Sequence, residues 1–302
     1  MAPASSANLG CALDAAAVAL DLTLEVQVET LGRSGLEFCC EGEAAKSTPQ
    51  DGSNLVVRSI RRMSEHLGVE LPGLRVGVRS RIPVAAGLGS SAAAVVAGLL
   101  AGARLCSHDP EEGALLQLAA ELEGHPDNVA AAYLGGLVVV AAAEGRILAR
   151  RAPVPAHLRF LVAIPDLTLS TADSRSLLPA TLSRGDAVHN LQRGLLLVAS
   201  AFAGDFNFDP ELFDDRWHQR SRSALVPGMG PSLALAHPAL AGAWLSGAGP
   251  SVVALTSKEG AAEVAQELRH ALAQGGVSGR VVDLGADNQG AKGRLEPVGD
   301  PA

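Results

Sequence analysis

Between Leu74 and Leu105 the chain runs from an alternating, strand-like segment into an uncharged Ala/Val/Leu run of helical length. The join is Ile82-Pro83-Val84-Ala85-Ala86-Gly87-Leu88-Gly89-Ser90-Ser91-Ala92-Ala93. Glycines at that point leave backbone N–H groups unobscured where the helix macrodipole is positive, which suits an anion. The serines add hydroxyls that can cap the helix or hold a metal carrying phosphate. A fold containing strand, anion loop and helix, with polyphosphate as ligand, is the first expectation.

Two familiar phosphate motifs fail here. A Walker A loop needs Gly-Lys-Ser/Thr, and no lysine occurs between Lys46 and Lys258. Gly87-Leu88-Gly89-Ser90-Ser91-Ala92 does match the dinucleotide pattern G-x-G-x-x-A. The strand before it alternates Leu74, Val76 and Val78 with Arg75, Gly77 and Arg79, which suits a half-open sheet rather than a buried parallel one. Beyond the helix, Ser107-His108-Asp109-Pro110-Glu111-Glu112 is a turn, where a second strand ending in an acid is required. An oxidoreductase is therefore a distant reading.

The 302 residues are 48% hydrophobic with a net charge of −8 and no basic stripe, so a buried core is available and nucleic acid is excluded as a partner. Cys11, Cys39, Cys40 and Cys106 have neither disulfide-framework nor zinc spacing and read as small buried hydrophobes in a reducing compartment. The start lacks an export signal, and the uncharged run Ile82–Ala103 begins too rich in Pro, Gly and Ser to cross a bilayer. A cytoplasmic enzyme with no membrane partner is expected.

Periodicity predicts a strand over Leu22–Thr30, a hairpin or loop over Gly32–Asp51, and helices over Leu55–Leu67 and Gly113–Glu123. A further strand follows Gly135-Gly136. His125-Pro126-Asp127-Asn128 reads locally as a helix stop and turn. Pro153 and Pro155 mark the expected boundary between parts 1–153 and 154–302, with a flexible tail from about 286. In the second part, strands at Arg159–Pro165, within Trp244–Leu255 and within Val277–Leu284 join helices at Ala187–Ala203 and Gly260–Ala273. A β-α-β-β-α-β order follows.

The segment Pro83 to Ala93 resembles the phosphate loop of the GHMP small-molecule kinases. Four more matches follow the homoserine kinase branch. They are Ala4-Ser5-Ser6-Ala7-Asn8-Leu9-Gly10 with Asp14; Glu123-Gly124-His125-Pro126-Asp127-Asn128-Val129 with Gly135-Gly136; Leu169-Ser170-Thr171 with Arg175, Leu178 and Pro179; and Asp215-Arg216-Trp217-His218-Gln219 with Arg222. The glycine loop Ser246-Gly247-Ala248-Gly249-Pro250-Ser251 completes the set, so the likeness spans Ala4 to Ser251.

The resemblance implies an α+β, two-domain GHMP kinase fold. Its N-terminal α/β domain would be like ribosomal protein S5 and its second domain ferredoxin-like. It implies an ATP- and Mg²⁺-dependent transferase that phosphorylates the side-chain hydroxyl of L-homoserine in threonine biosynthesis. Pro83, Gly87, Leu88, Gly89, Ser90, Ser91, Ala92 and Ala93 would form the ATP loop. Ser90 or Ser91, with Glu121 or Glu123, would hold the metal, and both the serine and the glutamate stay open. Asn8, Asp14, His125, Asn128, Arg175 and Arg222 would bind substrate: the arginines take its carboxylate and Asp14 its ammonium. Asn128, Thr171 and Arg175 would act at the reacting groups, and no carboxylate stands out as a general base. Kinases of other small alcohols, and a catalytically silent ligand-binding relative, remain alternatives, and a homodimer stays open.

Three departures from the family pattern are visible. Cys11-Ala12-Leu13 replaces Pro-Gly-Phe before Asp14, and Arg220-Ser221 replaces Pro-Tyr before Arg222. The chain also starts almost at the substrate loop, where relatives carry a leading strand, which would leave Leu22–Thr30 short of an edge partner.

Overall fold

A computed structural model describes residues 1–167, 169, 171–223 and 228–293, with 171–173 described by backbone alone. The first half contains β1 (Ala2–Ala7), β2 (Ala16–Thr30), β3 (Leu36–Gly42), α1 (Leu55–His66), β4 (Leu74–Ser80), α2 (Ser90–Leu105), α3 (Glu112–Glu123), α4 (Pro126–Leu134), β5 (Leu137–Ala143) and β6 (Arg146–Ala152). The second half contains β7 (Leu158–Pro165), α5 (Thr171–Ser176), α6 (Arg184–Phe202), α7 (Gln219–Ser223), α8 (Met229–Leu233), β8 (Leu240–Leu245), β9 (Val252–Ser257), α9 (Ala261–Gln274) and β10 (Gly279–Leu284).

The first sheet runs β3-β4-β2-β5-β6, with β1 also on β2. Only β3 and β4 pair in parallel, joined through α1 as a crossover requires. The stretch expected to be a hairpin or loop thus contains strand β3, whose alternation is concealed because Cys39 and Glu41 are exposed and Cys40 only half-buried, where buried cysteines were expected. The leading strand expected to be missing is present. β1 pairs with Ala17–Leu24 while β4 covers Leu24–Thr30, and the bulge after Pro3 sits where proline cannot join the ladder.

The second sheet runs β10-β7-β9-β8, all antiparallel, which is the ferredoxin-like order predicted from the β-α-β-β-α-β pattern. One apolar core joins both halves, from Ala2 and Val18 through Phe160 and Trp244 to Leu284. Trp244 stacks on Phe213 with centroids 5.1 Å apart and donates its indole N–H to Ser6 Oγ at 2.9 Å. Burying side chains of that size contributes roughly 1.5–3 kcal/mol each. The helices α1 and α2 pack closely because Gly98 and Gly102 lack Cβ atoms. A Cβ there would stand 2.7 Å from Val56 O and 2.6 Å from Ile60 O.

Residues 285–293 return to the first sheet, where a free tail from 286 was expected. Asp287 N donates to Ala19 O, and Asn288 bonds both Val154 N and Val154 O at 2.8 Å. Polar, glycine-rich sequence concealed the attachment because its bonds are to backbone groups. No described helix is long and apolar enough to cross a membrane.

Candidate active site

The anion loop lies between β4 and α2. Gly89 precedes the helix at φ +66°, and among the described residues no side chain caps it. The first amides of α2 are thus left for a ligand. Gly87 and Gly89 are also wedged against protein. A Cβ on Gly87 would meet Ser246 O at 2.3 Å, and one on Gly89 would meet Ser5 Oγ at 2.1 Å. Pro83, Gly87, Leu88, Gly89, Ser90 and Ser91 line a cleft of about 260 Å³. Ala92 and Ala93 point instead into the core.

Beside the loop, Ser91 Oγ donates to Glu123 Oε2 at 2.6 Å. Glu123 ends α3 just before Gly124, whose φ of +87° turns the chain toward His125. Burial holds the Glu123 carboxyl above its usual range; the Ser91 bond opposes that and Asp127 adds to it. Glu121 faces away from the cleft. It pairs with Arg62 at 3.1 Å on the exposed side of α3 and accepts from Gln117.

At the other end, the loop after β1 adopts left-handed backbone at Asn8 and Asp14 (φ +76° and +56°), which Asn and Asp tolerate best among non-glycine residues. Asn8 locks it, donating to Gly247 O at 2.9 Å and accepting from Asp14 N at 3.0 Å. Asp14 Oδ1 meets Arg175 Nη2 at 2.8 Å.

Arg222, on α7, is only 2% exposed. Its guanidinium donates to Ser174 O, Gly247 O and His218 Nδ1, and pairs with no carboxylate among the described residues. His218 Nε2 lies 2.8 Å from Gly10 O, so Nε2 carries the proton and Nδ1 accepts from Arg222. Burial lowers the pKa of that imidazole. Asp215 supports the turn by accepting from the amides of Trp217, His218 and Gln219 and from Asn190 on α6. Burial, then the nearby Arg175, lowers the basicity of Arg222. Asp14 and Asp215 oppose that lowering, although neither pairs directly with the guanidinium.

Comparison with known proteins agrees along the chain. The family model of the GHMP kinases N terminal domain matches residues 54–136, and that of the GHMP kinases C terminal matches residues 206–274. A homoserine kinase of Desulfitobacterium hafniense is 38% identical over 290 residues, covering 96% of this chain and 97% of its own. This chain belongs to the homoserine kinase family of GHMP kinases. A second homoserine kinase, from Deinococcus radiodurans, is 38% identical over 96% of this chain and 94% of its own. The crystal structure of a homoserine kinase from Cytophaga hutchinsonii superposes with a TM-score of 0.86 at 30% identity, covering 96% of this chain and 94% of that one. Its GHMP relatives use ATP as phosphate donor, and this kinase takes a small-molecule substrate.

Within this GHMP kinase the cleft gathers Asn8, Asp14, His125, Asn128, Arg175 and Arg222 with the anion loop and Glu123. Asn128 Oδ1 accepts from Ser5 Oγ at 2.8 Å, and burial lowers the His125 pKa, followed by the effect of Arg175. Thr171 opens α5, but its side chain, like Ser170, lies outside the described residues.

One cleft carboxylate went unselected in the sequence. Asp127 is 2% exposed, accepts from Asn128 N at 2.7 Å, and has its pKa raised by burial to about 6. His125-Pro126-Asp127-Asn128 starts α4 rather than ending a helix, with Pro126 in the first turn where its missing N–H costs nothing. An acid there reads as an ordinary first-turn residue, and only its burial in the cleft distinguishes it.

Proposed function

We infer that this chain transfers the γ-phosphoryl group of ATP to the side-chain hydroxyl of L-homoserine, giving ADP and O-phospho-L-homoserine for threonine biosynthesis. The observation that carries the reading is one cleft with an uncapped helix N-terminus at one end and the buried, carboxylate-free Arg222 at the other.

Phosphoryl transfer depends on positioning and charge neutralisation more than on covalent help. The amides at Gly89 to Ser91 hold the phosphates. Ser91 and Glu123 fit Mg²⁺, since their oxygens already meet and a cation relieves the buried Glu123–Asp127 repulsion. When bound, the ion neutralises charge across the phosphates, with few protein oxygens needed. Arg222 and Arg175 take the substrate carboxylate and Asp14 its ammonium. That leaves the hydroxyl toward His125, Asn128 and Asp127. Asp127 is the buried carboxylate of the cleft that would receive the hydroxyl proton, and its pKa, raised by burial to about 6, suits a general base. Residues 1–153 then form the ATP-binding part, and 154–302 supply both arginines.

The test is ADP release across a panel of small alcohols. L-homoserine is expected to be used best, with Mg²⁺ required. Faster turnover of an alcohol lacking a carboxylate would overturn the substrate assignment, and no ADP release from any of them would favour a silent binder.

A further inference from the structure

A guanidinium has five N–H groups, and Arg222 commits three of them inside the protein. Nε donates to Ser174 O at 3.3 Å, and Nη1 donates to Gly247 O at 3.2 Å and to His218 Nδ1 at 3.1 Å. Nη2 donates to nothing among the described residues, while Arg222 lines the cleft. The Nη2 N–H pair is therefore the part of this guanidinium left for a carboxylate. Its aim depends on what holds the other two nitrogens. Two of the three acceptors are backbone carbonyls, and the third is the wholly buried ring of His218.

We propose that His218 is a positioning residue for substrate recognition, holding the Arg222 guanidinium at a set distance from the loop that carries Asp14. The role rests on L-homoserine being the substrate, as read above. An α-amino acid presents carboxylate and ammonium at one short separation, so its receptor needs two charged groups held at a matching one. His218 spans that gap. Its Nε2 lies 2.8 Å from Gly10 O, between Asn8 and Asp14 in the loop after β1, and its Nδ1 reaches Arg222 on α7. Gly10 is closely seated, since a Cβ there would stand 2.1 Å from Phe213 O. At its root, His218 donates its backbone N–H to Asp215 Oδ2 at 2.7 Å.

Only one form of the ring can do this. An arginine N–H only donates and a carbonyl only accepts, so Nδ1 must be bare and Nε2 protonated. A protonated Nδ1 would set N–H against N–H and one positive charge beside another. The charged groups that bear on the ring are Asp215, Arg222 and Asp14. Burial lowers its pKa most; Asp215, the Gly10 bond and Asp14 raise it, and Arg222 lowers it. The ring thus works as a spacer with a fixed donor end and a fixed acceptor end.

His218→Asn and His218→Gln divide the two contacts, because the shorter amide falls near the position of Nδ1 and the longer one near that of Nε2. The first variant keeps an acceptor for Arg222 and loses the Gly10 bond. The second keeps a donor for Gly10 O and leaves Arg222 short of a partner. Both should melt below the parent. The KM for L-homoserine should rise about tenfold more in His218→Gln than in His218→Asn, with the KM for ATP moved by less than about threefold in either. His218→Gln should also favour L-homoserine over its uncharged carboxamide about tenfold less than the parent does. Without any substrate, NMR of the labelled imidazole nitrogens should show Nδ1 bare and Nε2 protonated at neutral pH. Equal KM shifts in the two variants, a charged ring or the opposite tautomer would overturn the role while the substrate assignment stands. A parent that releases no ADP with L-homoserine would overturn the substrate assignment, and this role with it.

Discussion

Arg175 Nη2 stands 2.8 Å from Asp14 Oδ1, pairing two residues assigned to opposite charges of the same substrate. An amino acid carries both a carboxylate and an ammonium, so it can replace this pair with one ion pair at each end. The cleft thus holds Arg175 and Asp14 paired before the substrate arrives, while Arg222 behind them donates only to two carbonyls and His218 among the described residues.

Arg175→Ala is expected to raise the KM for L-homoserine at least tens-fold and leave the KM for ATP within about twofold. Losing one partner of a desolvated charged hydrogen bond costs on the order of 2–5 kcal/mol. Arg222→Ala should weaken homoserine equally and also lower the melting temperature, because it strips partners from His218, Gly247 and Ser174. Steady-state kinetics with a thermal melt separate the two. Normal homoserine use by both variants would refute the carboxylate clamp.

Gly89→Ala should weaken ATP binding at least tenfold and destabilise the fold by about 1–3 kcal/mol. The new Cβ would sit 2.1 Å from Ser5 Oγ at a φ that alanine avoids. Gly113→Ala in α3, with nothing within 4 Å of the added carbon, should instead stabilise by about 1 kcal/mol. Calorimetry of both variants with ATP is the check, and unchanged ATP affinity in Gly89→Ala would remove the loop from the nucleotide site.

Activity should rise with pH through about 6, as the Asp127 carboxyl ionises. Asp127→Asn should flatten that limb and lower kcat by about 10²–10⁴-fold, the usual contribution of a general base. Stability should move the other way. The folded pKa lies above the unfolded value, so folding binds extra protons between the two, and stability falls as pH rises from about 4 to about 6. Above that range the asparagine variant should be the more stable by about 3 kcal/mol. A limb near pH 6 that persists in Asp127→Asn would exclude this residue as its source.

Glu123→Gln should raise the Mg²⁺ concentration needed for half-maximal activity at least tenfold. Glu121→Gln should leave it unchanged, costing at most the ~0.2–1 kcal/mol of an exposed ion pair with Arg62. Metal titrations of the two variants distinguish them, and equal effects would mean that neither carboxylate is a specific ligand.

The glycine loop, the ferredoxin-like order of the second half and most residues that line the cleft were legible in the sequence, because each depends on local pattern. Glycines between strand and helix, apolar periodicity and short motifs carry that information along the chain. Four features were decided by tertiary structure. β3 is a strand because β4 offers it a parallel partner. Residues 285–293 are held because the first sheet supplies their hydrogen-bond partners. Glu123, rather than Glu121, faces the cleft because Gly124 ends α3 there, whereas Glu121 turns outward to Arg62. Asp127 and Arg222 acquire altered proton affinities because burial penalises charge, and burial belongs to no residue taken alone. Sequence determines which groups are present and the local backbone that carries them. Distance and solvent access, which set their chemistry, arise only when remote segments close around the same cleft.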